Sequence, residues 1–535
     1  MIVTIMAMIL LPLAMALLLL SAPLGRLVPR LLGVAPAPAL LLLPIAWEGS
    51  VSSYTLLGSW TAIVDQAGAL LLAASGLLWM IGGFAASQWL KGREGAGRFS
   101  LWWLLTLSGS LGVFVAGDVV SFYALYALAS LPAYGLIAFG GGEEAQRAGR
   151  ATLAAALIGE ALILAAFVLL TVEAQGQGLA IATVMHALPA SPEAGLVITL
   201  VVVGFGLKIG LFPLHGWMPM SYAAGPLAAA AVLSGATSKA GLIGLIRFLP
   251  LDAPMPVAGG MILAAGLFSA FYGAVLGLTQ NNPRSVLAYS SISQLGQMAA
   301  VLGAGLAAGV PGAGSIVAFY AVYHVLTKGG LFLMLAAARP PLWQLLLAGV
   351  LALGFAGLPL SGGALGKLAF KDVAGSGVTG LLFALAATGS TVLMLHFLRL
   401  VKAAPAAAKQ EPLPGWAWIA AGLAATLLMW SLFGAVTGVA AGYALKPGVL
   451  FELGWPVAAG AAIAWALAAA GTQLPRIEPG DVGARAIAIA EREAPRLARL
   501  ATRFEIRAHQ WQVSTLTLAV VLILWVVLQG WLAPH

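Results

Sequence analysis

AGLVITLVVVGFGLKIGLFPLHGWMP, residues 194–219, places one lysine inside an apolar run and surrounds it with helix-weakening residues. A hydrocarbon core of about 30 Å takes about 20 apolar residues in a helix, and this run is long enough. Lys208 lies about ten or more residues into the span, at ~1.5 Å per residue. A cation at that depth is costly in lipid, so it faces a partner, a wet cavity or the bundle interior. Gly204, Gly206, Gly210 and Pro213 loosen the helix around it. Backbone groups freed at that depth are tolerated only where protein or water can satisfy them. A helix broken at a buried cation predicts an all-α polytopic membrane protein with a polar path inside it.

The rest of the chain has the composition this requires. Of 535 residues, 61% are apolar and only 8% are charged, with a mean hydropathy of +1.00. Soluble domains carry about a quarter charged residues, so lipid is the main solvent here. About sixteen runs qualify as membrane spans by length and apolarity. They lie near 2–22, 31–47, 67–89, 100–117, 119–140, 150–172, 194–214, 224–249, 255–279, 284–308, 313–338, 342–368, 377–401, 414–440, 453–474 and 513–532. The first run lacks a basic leader and exceeds a signal-peptide core in length, so it reads as a retained helix. The loops are short, which predicts one bundle and no sizeable aqueous domain.

Charge gives the orientation. With the N-terminus outside, the odd-numbered loops hold Arg26, Arg30, Lys91, Arg93, Arg98 and Arg284 among their many cations. The even-numbered loops hold mostly acids, including Asp65, Asp252 and Glu452, with Lys446 as an exception. By the positive-inside rule both termini lie outside a bacterial-type cytoplasmic (inner) membrane. The net charge of +8 follows from this topology and calls for no nucleic acid. From Arg476 to Gln510 the chain is polar, with Arg492, Arg496, Arg499, Arg503 and Arg507 at helical spacing. This predicts a cytoplasmic amphipathic helix before the last span, lying on headgroups or along a neighbouring subunit.

The chain contains no cysteine, which removes disulfides, thiolate zinc sites and cysteine-ligated iron–sulfur clusters. Six scattered histidines show no metal-ligand spacing, so neither a metal nor another cofactor is expected here. No redox or hydrolytic site is read in the chain, and any redox chemistry belongs to a partner.

Few ionisable residues fall inside the spans: Glu160, Lys208, Lys239, His324, Lys328, Lys367, Lys371 and His396. Snorkelling to the headgroups accounts for Lys371 and His396 near helix ends. It fails for Lys208, Lys239 and Lys328, which lie deep in the seventh, eighth and eleventh spans, with Lys367 in the twelfth. Low dielectric disfavours the charged form of an amine, so lysines so placed can exchange protons near neutral pH. Together with His324 and intervening water they make a proton track. Gly357, Pro359, Gly362, Gly363 and Gly366 break the twelfth span before Lys367, much as the seventh is broken at Lys208. Paired breaks in corresponding positions predict two inverted five-helix repeats, spans four to eight and nine to thirteen, with broken helices 7 and 12.

These residues come in a known order. The lysine segment through PLHGWMP is followed by SGATSKAGLIGLIRF, RSVLAYSSISQLG, YHVLTKGGLFL and GLPLSGGALGK. From about Asp118 to Lys371 the chain resembles the antiporter-like subunit family of Mrp-type multisubunit cation/proton antiporters, complex I membrane arms and membrane-bound hydrogenases. The resemblance implies that Lys208 is the central lysine, Lys239 the relay lysine, His324 and Lys328 the linking pair, and Lys367 the exit-side residue. Two departures stand out. The family's glutamate on the fifth span is matched here by Ala127, and Glu160 on the sixth is the candidate substitute acid. NNPR, at 281–284, also lacks a common acidic residue.

The domains predicted are N-terminal spans 1–117, an antiporter-like core 118–402, C-terminal spans 403–475, the lateral helix 476–512 and a terminal span 513–535. Three functions compete. The first is a proton-translocating subunit of an Mrp-type antiporter or related complex, exchanging protons, with sodium or potassium as counter-ion candidates. The second is a pump subunit of an NADH–quinone oxidoreductase or hydrogenase. The third is a subunit feeding proton-motive force to a partner such as an inorganic-carbon uptake protein. All three imply other membrane subunits and a lipid bilayer as partners.

Overall fold

Apolar runs fold into helices because lipid cannot satisfy free backbone groups, and the fold shows which runs became continuous. The computed structural model describes residues 1–49, 51–55, 60–174, 176, 178–337, 340–404, 411–472, 474–481 and 484. Contacts divide the chain after Asp481 into two units, the first of which is Met1–Asp481. The predicted lateral helix and terminal span lie outside the described residues, save for the start at 476–481 and residue 484.

The described chain is an integral membrane protein, almost entirely helical. Its one sheet is a two-stranded antiparallel hairpin, Ser52–Thr55 with Thr61–Val64. Nine described helices are long and apolar enough to cross a membrane, or ten if the bent pair Ile2–Leu18 and Ala22–Arg30 is one span. The predicted spans that fall short do so for local reasons. The run 31–47 is broken at Pro36 and Pro44, which precede the short helices Ala37–Leu40 and Ile45–Glu48. The Pro283–Ala308 helix is long but less apolar, because Ser290, Ser293, Gln294 and Gln297 repeat along it. The predicted span 150–172 extends into a longer helix, Gly142–Glu173.

Burial ranks the helices. Leu227–Phe248 and Ala313–Met334 are each 94% buried, whereas Pro447–Ala469 at the rim is 22% buried. The two central helices carry Lys239, His324 and Lys328. Ion pairs hold the first of them at both ends. Glu411 accepts the Leu227 amide at 2.9 Å and pairs with Arg284 at 3.1 Å, while Arg284 also donates to the Gly225 carbonyl at 2.9 Å. At the far end Arg247 pairs bidentately with Asp65, which also caps the Gln66–Trp89 helix through the Gly68 amide at 2.8 Å. Asp65→Ala removes the cap and the pair together and is expected to cost about 2–4 kcal/mol. A melting temperature unchanged in detergent would contradict that.

Loop contacts join elements of like parity in the predicted threading. Asp65 with Arg247, Asp118 with the Thr61 amide, and Lys371 with Glu452 join even-numbered loops and helix ends of the predicted threading. Arg284 with Glu411 and His215 with Asp481 join odd-numbered ones.

Candidate functional site

The Lys208 helix, Ala194–Ile209, ends one residue after the lysine. Gly210 follows in the left-handed region at φ 71°, and the chain resumes as Trp217–Ala224. Lys208 therefore sits in the last turn, where unpaired helix carbonyls complement a cation. Its Nζ donates to Ser130 Oγ at 2.9 Å and lies 5.8 Å from the centre of the Tyr126 ring. Ser130 lies one turn beyond Ala127 on the same helix, so a hydroxyl stands near where a glutamate was expected. Glu160 is buried on the adjoining helix, where Gly159 packs close to Gly204. No salt bridge joins Glu160 to Lys208 among the described residues, and Glu160 Oε1 is buried without a hydrogen-bond partner.

A narrow internal gap runs from Lys208 past Thr152 and Thr237 to Ser238. Ser238 Oγ in turn accepts from Lys239 Nζ at 3.1 Å. The backbone just before it, Leu233–Thr237, is one π-helical turn, a distortion frequent at functional sites. This turn offers the Ser234 carbonyl to Lys239 Nζ at 3.3 Å. On its other side, Lys239 Nζ lies 2.6 Å from His324 Nδ1. Both residues are fully buried.

His324 and Lys328 share the Ala313–Met334 helix, one turn apart. Lys328 Nζ donates to Ser290 Oγ at 2.9 Å and the Leu287 carbonyl at 3.2 Å, and lies 4.4 Å from the Phe355 ring centre. Beyond it the second interrupted span opens. Leu342–Gly354 stops, Gly357 and Leu360 adopt φ of 91° and 68°, and Gly362–Ala374 restarts behind a Ser361 cap. Lys367, partly exposed, donates to Gln297 Oε1 and lies 5.0 Å from the Tyr320 ring. It borders a cavity of about 320 Å³ that also reaches Lys371 and Glu452, which pair at 2.5 Å.

Between these bases the structure supplies polar groups to which the sequence reading assigned no role. Gln294 accepts from Tyr320 Oη at 2.5 Å and donates to Ser390 Oγ at 2.9 Å. Ser293 Oγ, Gln297 Nε2, His324 Nε2 and Thr327 Oγ1 are buried with no protein partner. Such atoms are where ordered water binds. The helical spacing of Ser290, Ser293, Gln294 and Gln297 in AYSSISQLGQ was the available signal. His396 stands apart, its Nε2 2.8 Å from the Gln280 carbonyl oxygen, as expected of a residue near a helix end. Beside the 281–284 turn, Arg284 pairs with Glu411 from another loop.

Residues 116–341 match the family model described as NADH:quinone oxidoreductase/Mrp antiporter, TM. Over this segment the chain is similar to that antiporter-like family. The chain is 34% identical over 263 residues to NADH-quinone oxidoreductase subunit N of Desulforudis audaxviator, covering 46% of this chain and 50% of that protein. Identity to an Na(+)/H(+) antiporter protein of Alkalihalophilus pseudofirmus is 25% over 293 residues, covering 53% and 58%. The chain thus spans about half the length of the curated relatives it matches. A chain in the structure of the Mrp complex from Dietzia sp. DQ12-45-1b superposes with a TM-score of 0.75 at 20% identity, over 99% of this chain and 63% of that one. At that identity the likeness is one of fold.

Proposed function

We propose that this chain is a proton-translocating subunit of an Mrp-type cation/proton antiporter or a related multisubunit membrane complex. One observation carries the reading: a fully buried Lys239–His324 contact of 2.6 Å, with Lys208 and Lys367 beyond it on either side. Protons pass Lys208, Lys239, His324, Lys328 and Lys367 in turn. His324 relays by accepting at Nδ1 and releasing from Nε2, whose outlet is water. Ammonium ions in one dry compartment repel, so a proton arriving at one base favours release from the next. The cavity beside Lys367 is the exit. Sodium or potassium is the exchanged cation in the antiporter form of this reading.

The finer architecture belongs to the same proposal. The interruptions at Gly210 and Gly357 mark two inverted five-helix repeats within a bundle of about sixteen spans. Residues 118–402 form the core between N-terminal spans 1–117 and C-terminal spans 403–475, followed by the lateral helix 476–512 and terminal span 513–535. The odd loops face the cytoplasm of a bacterial-type cell, and both termini lie outside.

Transport by inverted vesicles carrying the whole complex tests the function: a cation-driven pH change that disappears with Lys208→Ala supports it, and full transport by that variant refutes it. A second reading, a pump subunit of an NADH–quinone oxidoreductase, is favoured by the Desulforudis audaxviator relative. Subunits that co-purify from native membranes separate the two. Glu160 acts on Lys208 from the neighbouring helix as a substitute acid. Glu160→Gln is expected to change the pH profile of transport, and an identical profile would remove Glu160 from the track.

A further inference from the structure

The first helix, Ile2–Leu18, ends in a turn of 114° that sends Ala22–Arg30 back across its end. Facing it is the helical hairpin formed by Gln66–Trp89 and Ala96–Gly112, which carries Lys91 and Arg93 in its turn and Arg98 at the start of its second helix. The two elements wall a cavity of about 750 Å³ whose lining includes Arg26, Arg30, Lys91, Arg93 and Arg98. None of these five cations forms a salt bridge among the described residues, and Glu94, on the hairpin, pairs with none of them. Arg93 and Arg98 lie over aromatic rings instead, at 4.3 Å from Trp89 and 5.9 Å from Phe139. Five exposed cations gathered around one hollow give it a positive potential that attracts an anion. The proton track makes no use of this cavity.

Its rim identifies the class of anion. Leu17 and Leu20, at the end of the spanning helix, are 66% and 86% exposed, and Leu20 also lines the cavity. An apolar rim continuous with a membrane helix has no use to an inorganic phosphate or a soluble acidic peptide. A phospholipid uses both parts, phosphate on the cations and acyl chain along the leucines. Basic pockets between membrane helices bind anionic headgroups in this way. We propose that this cavity is a selective site for an anionic phospholipid, its phosphate held by Arg26, Arg30 and Lys91 against the arginines of the hairpin. Occupancy would tie the first helix to the hairpin.

The test uses the full chain in its complex, delipidated in detergent and titrated with cardiolipin or phosphatidylcholine, with bound lipid counted by native mass spectrometry. Wild type is expected to take up cardiolipin well ahead of phosphatidylcholine. Each cation contributes about fivefold to such binding, so replacing Arg26, Arg30 and Lys91 by glutamine lowers cardiolipin affinity by about 100-fold. The Arg26→Lys, Arg30→Lys variant keeps most of it, which separates charge from misfolding. Equal uptake of the two lipids, or full cardiolipin binding by the triple variant, overturns the proposal. Displacement of cardiolipin by inorganic phosphate or by polyglutamate also overturns it, pointing to a free-anion site or a protein-docking surface respectively.

Discussion

Lys239→Ala is expected to abolish proton transport while the subunit still folds and assembles. Lys239 is the only base within hydrogen-bond distance of both Ser238 and His324 among the described residues, so its loss breaks the track at the centre. A positioned proton carrier is worth roughly 10²-fold or more in rate, and no other described side chain takes its place. Folding should tolerate the change. Lys239 is 0% exposed, and its hydrogen-bond partners, Ser234, Ser238 and His324, include no carboxylate that its loss would strand. Transport above about a tenth of wild type would contradict the assignment, as would loss of the assembled complex.

The second large effect is expected at a residue with no charge. Gly235 lies in the π-helical turn before Lys239 and faces Leu78 and the helix of His324. A Cβ there would sit 2.7 Å from the Val325 carbonyl oxygen, closer than real Cβ atoms approach backbone. Gly235→Val therefore pushes the two central helices apart. Overpacking of this kind costs about 1–3 kcal/mol, and the Lys239–His324 contact lies beside the point of separation. Transport should fall by about tenfold or more, with a lowered melting temperature. Gly260→Ala, where an added Cβ meets nothing within 4 Å, should leave both unchanged. Wild-type transport by Gly235→Val would show that the close approach is not needed.

Much of this was legible in the sequence because bilayers make it legible. Lys208, Lys239 and Lys328 stand out since few cations survive deep in an apolar run, and Gly210 and Gly357 mark where helices stop. Hydropathy could not show which runs become continuous helices. Proline cut residues 31–47 into pieces, and the serines and glutamines of Pro283–Ala308 lowered the apolar signal of a long helix. Partners from distant loops were equally hidden. The Arg284–Glu411 pair spans 127 residues, and the serine beside Lys208 lies 78 residues away. The π-helical turn had no signature beyond the small residues of LSGAT, since its register depends on packing against Leu78 and Val325.

The central claim is that one continuous track joins the two interrupted helices. Its most direct test is proton flux through the complex in sealed vesicles, followed with a pH-sensitive dye, comparing wild type with Lys208→Ala and Lys367→Ala. A continuous track predicts that either substitution, at opposite ends, stops the flux with the complex intact. Full flux in either variant would contradict it.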